Sequence, residues 1–91
     1  MAGRVRKRLV VHGDVQGVFF RDTARRRAAA LGVTGWIRNR SDGTVEAVVE
    51  GEPDAVAAMA SFCGEGPEGA RVDRVDDRDE PPEGLSGFEI R

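Results

Sequence analysis

Residues 11–21 read Val11-His12-Gly13-Asp14-Val15-Gln16-Gly17-Val18-Phe19-Phe20-Arg21. An apolar strand ends at a glycine, a short loop carries a second glycine, and a lone arginine stands where helical periodicity begins. Upstream, residues 4–12 predict a strand with Val5, Leu9 and Val11 on one face, interrupted by Lys7, and Arg6, Arg8 and Val10 on the other. Downstream, residues 22–31 predict a helix, with Asp22 as N-cap or first-turn acid and Phe20, Ala24, Ala28 and Leu31 at core spacing. Gly32 then supplies the left-handed stop that helices favour.

The pattern continues outward from this junction. Residues 33–39 predict a second strand and residues 44–50 a third, joined at Ser41-Asp42-Gly43. Asp-Gly there suggests a type I′ hairpin turn. The third strand alternates Val45, Ala47 and Val49 against Glu46, Val48 and Glu50. Glu52-Pro53-Asp54 opens a second helix, with Val56, Met59, Ala60 and Cys63 on its buried side and Gly64 or Gly66 at its end. Residues 70–76 predict a fourth strand, residues 76–83 a polar loop, and Phe88 and Ile90 a short final strand. The order β-α-β-β-α-β is the split βαβ, ferredoxin-like pattern of an α+β fold. Right-handed crossovers put both helices on one face of a mainly antiparallel sheet. The other face is expected to be open and polar: Glu46, Glu50 and Arg38 fit it, while Trp36 and Val48 do not.

The 91 residues predict a single domain, 1–91, that buries about 60–65% of its unfolded surface. Apolar residues make up 40% and charged residues 33%, a globular rather than disordered balance. No apolar run approaches the roughly 18 residues of a membrane span. The start, Met1-Ala2-Gly3-Arg4, does not read as a signal peptide, and a single cysteine excludes an internal disulfide, so the expected location is cytoplasmic. Net charge is −2 but uneven. Residues 1–40 carry ten Lys/Arg against two acids, residues 41–64 five acids and no base, and residues 65–91 nine acids against four arginines. The basic part holds the glycine loop, which favours an anionic ligand. The whole chain is not basic enough for a dedicated nucleic-acid binder.

Gly13 and Gly17 permit a tight loop whose N–H groups converge on an anion. The helix N-terminus adds about half a positive charge. Arg21 offers a permanently charged planar fork that matches phosphate oxygens. The loop is not a Walker A sequence, which needs a following Gly-Lys-Ser/Thr. Asn39, at the end of the second strand, either forms a turn or, if that strand lies beside the first, meets the loop and holds a water there. Other candidates are thinner. His12 is the only histidine, and no carboxylate orients it by sequence. Cys63 has core spacing and reads as a buried apolar group rather than a nucleophile. The acids at 76–80 read as a solvated loop rather than a cation site. No metal-ligand motif is present.

The segment 11–21 resembles the acylphosphatase signature V-x-G-x-V-Q-G-V-x-F-R at every fixed position: Val11, Gly13, Val15, Gln16, Gly17, Val18, Phe20 and Arg21. Residues 32–46 resemble the family's second block, G-x-x-G-W-V-R-N-x-x-D-G-x-V-E, with Ile37 in place of valine as the one departure. The resemblance spans essentially the whole chain. It implies hydrolysis of small-molecule acyl phosphates to a carboxylate and inorganic phosphate, on the ferredoxin-like fold. Carried across, Arg21 and the N–H groups of Val15, Gln16, Gly17, Val18, Phe19 and Phe20 bind the phosphoryl group, and Asn39 positions the attacking water. No metal, cofactor or covalent phosphoenzyme is expected, and no nucleic acid, membrane or second subunit.

A carboxylate leaving group, whose acid has a pKa of about 4, needs no general acid, which suits a chain that offers none. The alternative is a non-catalytic module binding carbamoyl phosphate or a similar metabolite, as acylphosphatase-like domains do inside larger enzymes. The 91-residue length argues for the enzyme. An RNA-binding role on the same fold lacks the aromatic signature that stacking requires.

Overall fold

The computed structural model describes residues 3–91. Met1 and Ala2, part of the start read above, lie outside them. Five strands and two helices follow in the order β1 (Val5–Asp14), α1 (Phe20–Leu31), β2 (Thr34–Asn39), β3 (Val45–Gly51), α2 (Pro53–Glu65), β4 (Arg71–Glu80) and β5 (Phe88–Ile90). They form one sheet in the order β4-β1-β3-β2-β5. The first three neighbour pairs are antiparallel and the last, β2 with β5, is parallel. The fold is ferredoxin-like α+β, as the element order predicts. No helix among the described residues is long and apolar enough to cross a membrane.

Alternation places Leu9 and Val11 of β1, Ile37 of β2 and Val45, Ala47 and Val49 of β3 on the face covered by the helices. α1 brings small residues, Ala24 and Ala28, so its backbone approaches the sheet closely, and α2 brings Val56, Met59 and Cys63. Phe20 and Phe62 join the two helices, with ring centroids 5.7 Å apart in a tilted pair. Phe62 takes the buried place expected of Ala60, which packs only at the margin, and Leu31 is exposed rather than core. α2 starts with Pro53 in its first turn and stops at Gly66, whose N–H donates to the Phe62 carbonyl at 2.7 Å.

Three local expectations are corrected. First, β4 runs to Glu80, through the segment expected to be a polar loop. Its acids are matched across the sheet: Lys7 Nζ lies 2.9 Å from both Asp77 Oδ1 and Asp79 Oδ1, and Arg6 and Arg8 reach Glu80 at 3.1 and 2.8 Å. Cross-strand charge pairing stabilises a strand that hydrophobic periodicity does not announce.

Second, the 40–44 turn is not type I′. Asp42 has negative φ, the only non-glycine with positive φ is Phe19, and Gly43 alone in the turn is left-handed at φ 89°. The Asp42 carboxylate instead accepts the Thr44 N–H at 3.0 Å and the Thr44 hydroxyl at 2.6 Å. This is a three-residue loop closed by a glycine bulge.

Third, the sheet face away from the helices is not open. Glu46, Val48 and Glu50 are all buried there. Arg8 and Arg38 each hold Glu46 at 2.6 Å. With Arg91 they surround the Trp36 ring, their guanidinium carbons 4.9–5.7 Å from its centroid. Glu50 accepts backbone N–H groups from Glu83, Gly84 and Leu85, tying the 83–85 segment over the face.

Candidate active site

β1 does not pass straight into its loop. Its pairing with β4 slips between His12 and Gly13, a bulge that turns the chain. A Cβ on Gly13 would stand 2.1 Å from the Arg71 carbonyl oxygen, so only glycine fits there. Gly17 is left-handed at φ 76°. Phe19 takes the N-cap position of α1 at φ 59°, ψ 26°, with no side-chain cap. The helix thus begins at Phe20, and Asp22 is a first-turn acid rather than the cap. A left-handed aromatic residue costs on the order of 1–2 kcal/mol.

The loop leaves donors unpaired. Among the described residues the first α1 backbone bond runs from Thr23 N–H to the Phe19 carbonyl at 3.0 Å, and no N–H from residue 15 to residue 22 finds a protein acceptor. These are the orphan donors of a helix N-terminus, joined to those of the loop before it.

The condition set for Asn39, that β2 lie beside β1, is not met: β3 lies between them. Both strands are antiparallel to β3, so they run in the same direction and end at the same edge of the sheet. Asn39 and Val11 both face Val45 of β3. Two inter-strand steps of about 4.8 Å separate them, and the loop after β1 spans that gap. The side chain of Gln16 closes it: its Nε2 donates to the carbonyls of Arg40 at 2.8 Å and Thr44 at 2.9 Å. The β1–α1 loop is thereby clipped to the base of the hairpin that carries Asn39.

A cleft of about 290 Å³ results, lined by Val15, Gly17, Phe19, Phe20, Arg21 and Asn39, together with Asp22 and Ile90. Of the residues expected at the site, Gln16 and Val18 do not line it. Gln16 is the clip, and Val18 packs against the core. Arg21 carries no ion pair or side-chain hydrogen bond among the described residues. Its neighbours Arg25 and Arg26 instead hold Asp22, at 3.4 and 3.0 Å, which offsets the one acid beside the cleft. Ile90 was invisible to sequence reasoning, because only the parallel pairing of β5 with β2 brings it to this edge.

The other candidates fall away from the cleft. His12 lies 2.9 Å from Asp76 and 3.2 Å from Arg74, on the sheet face opposite the helices. Cys63 is fully buried, and burial pushes its thiol up to about 12. Among the described residues no group of three or more His, Cys, Asp or Glu could hold a metal ion.

This loop, arginine and asparagine lie inside a stretch, residues 7–90, that matches the acylphosphatase family model. The chain belongs to the acylphosphatase family. It is 55% identical over 87 residues to the acylphosphatase of Rubrobacter xylanophilus, covering 94% of this chain and 79% of that one. The acylphosphatase of Thermococcus kodakarensis is 53% identical and is covered over 96% of both chains. Among solved structures, an acylphosphatase from Coxiella burnetii superposes with a TM-score of 0.92 at 39% identity, covering 97% of this chain and 93% of that one.

Proposed function

We propose that the cleft holds the phosphoryl group of an acyl phosphate on Arg21 and the N–H groups of residues 15–20, while Asn39 positions the attacking water. The protein is an acylphosphatase, hydrolysing acyl phosphates to a carboxylate and inorganic phosphate. One observation supports the assignment of roles: Arg21, the Asn39 amide and a loop with unpaired N–H groups, all without a protein partner among the described residues, meet at one cleft.

Charge in phosphoryl transfer spreads over three oxygens, so catalysis is chiefly positioning and neutralisation. The guanidinium fork and the loop donors supply neutralisation. The Asn39 amide accepts a hydrogen bond from the water and turns its oxygen toward phosphorus. The water oxygen bonds to phosphorus, the bond from phosphorus to the acyl oxygen breaks, and its electron pair leaves on the carboxylate. The leaving acid has a pKa of about 4, so no proton need be delivered to it. A phosphate oxygen of the substrate takes the proton lost by the water. Neither a metal nor a phosphoenzyme enters this scheme. We read the protein as a cytoplasmic monomer that acts on a small molecule without nucleic acid or membrane.

The test is a steady-state assay on acetyl phosphate, with and without a chelator, of the wild type, Arg21→Ala and Asn39→Ala. Turnover that survives both substitutions, or that requires added metal, overturns the scheme. Binding of the substrate by wild type without turnover identifies a carrier module instead.

A further inference from the structure

Three large hydrophobic residues are exposed among the described residues: Phe19 at 80%, Ile90 at 38% and Leu31 at 37%. Two of the three, Phe19 and Ile90, line the same cleft as Arg21 and Asn39. Isolated exposed apolar residues are unremarkable, but convergence of two on one concave site is not.

Phe19 is unusual in two independent ways. It is the only non-glycine residue of positive φ among the described residues, in a position where glycine or asparagine would fit without strain. It also presents its ring to solvent at a helix start where a polar side chain would cap the free N–H groups. Neither the fold nor the phosphate cradle requires a phenyl ring there. A strained backbone and an exposed ring in one residue point to a use for the ring.

The charges around the cleft narrow that use. Arg21 is the only cation lining it, and the phosphoryl group occupies that guanidinium. On the far side of Asn39 lies a depression with Arg8, Arg38 and Arg91. These cations are already engaged: Arg8 and Arg38 by Glu46 at 2.6 Å, and Arg91 by Glu89 at 3.3 Å. An anionic group elsewhere on the substrate would find no further cation lining the cleft, where Asp22 already holds Arg25 and Arg26.

We propose that Phe19 and Ile90 form an acyl-group subsite, and that it selects acyl phosphates whose acyl part is uncharged and apolar, of aromatic size. The proposal rests on the hydrolytic reading of Arg21 and Asn39. Once the phosphoryl group is seated, the acyl group projects out of the cleft between the Phe19 ring and the Ile90 side chain. Contact there excludes water from one face of the scissile bond.

The experiment compares kcat/KM for benzoyl, acetyl and succinyl phosphate. Each kcat/KM is divided by the rate of uncatalysed hydrolysis of the same acyl phosphate, so the ratios report contact with the acyl group rather than leaving-group basicity. Wild type is expected to favour benzoyl over acetyl phosphate by about tenfold and to use succinyl phosphate least. Phe19→Asn, which keeps the left-handed backbone, and Ile90→Thr, which keeps a β-branched strand residue, should each lower the benzoyl-to-acetyl ratio by roughly threefold to tenfold. Phe19→Leu should restore part of it. Thermal melts establish that each variant is folded. A wild type that does not discriminate, a preference for succinyl phosphate, or a ratio unmoved by both substitutions overturns the subsite. Absence of turnover with all three substrates instead sinks the hydrolytic reading itself.

Discussion

The side-chain amide of Gln16 donates to the carbonyl of Arg40 at 2.8 Å, and the same nitrogen reaches the Thr44 carbonyl at 2.9 Å. These carbonyls bracket the turn after Asn39, and the Thr44 carbonyl also accepts the Arg40 N–H at 2.8 Å. One side chain therefore clips the β1–α1 loop to the strand end that carries Asn39. β3 lies between the two parent strands, so β1 and β2 do not pair directly.

Gln16→Ala is expected to raise KM and lower the melting temperature, because the loop loses two hydrogen bonds of about 1 kcal/mol each. Gln16→Glu should be worse in both respects, since it sets a carboxylate against two carbonyl oxygens. Steady-state kinetics and thermal melts on the pair decide the matter. A glutamate variant as active as wild type would show that the clip does not position the loop.

Arg21→Ala should lower kcat/KM by about 10²–10³-fold, the usual loss when a donor to developing charge is removed from a water-poor site. Arg21→Lys should recover little of it, because an ammonium is a point charge without the planar fork. Inorganic phosphate should also bind both variants more weakly, which competitive inhibition measures directly.

Asn39→Ala should act on kcat far more than on KM, by about 10²-fold, because it misplaces the water and leaves the phosphoryl cradle intact. A rise in KM of the same size would move Asn39 into the binding set.

Glu50 predicts an acid transition. Burial pushes its carboxyl up, but hydrogen bonds from the N–H groups of Leu85, Gly84 and Glu83 outweigh that and hold it below its ordinary 4.5. A group whose folded value is lowered contributes stability above its unfolded value, and that contribution is lost as pH falls through the folded one. Stability should therefore be level above about pH 5 and drop below about pH 4.5. Glu50→Gln should cost about 2 kcal/mol at neutral pH and flatten the drop. Urea unfolding at pH 7 and pH 3.5 checks both parts.

Much of this molecule is legible in its amino acids. The strand, glycine loop and arginine of residues 11–21, the alternation of β3 and the Glu52-Pro53-Asp54 helix start are short-range signals, and each element formed near its expected place. Arg21 and Asn39 could be named because their neighbours match a family pattern. Other features carry no local signal. Asp76 to Glu80 looked like a loop because its strand is stabilised by Lys7, Arg6 and Arg8, about seventy residues away in sequence.

By itself, then, the sequence determined most of the helices and strands, because propensity, glycine freedom and hydrophobic period act within a few residues, and its resemblance to a family pattern singled out Arg21 and Asn39 as candidates. Only the tertiary structure decided that β3 would stand between the two halves of the site. It also decided that Gln16 would bridge them, that Phe19 would hold a left-handed backbone with its ring exposed, and that Ile90 would complete the cleft. Each of these depends on strand order and on contacts between residues distant in the chain, which no local period encodes.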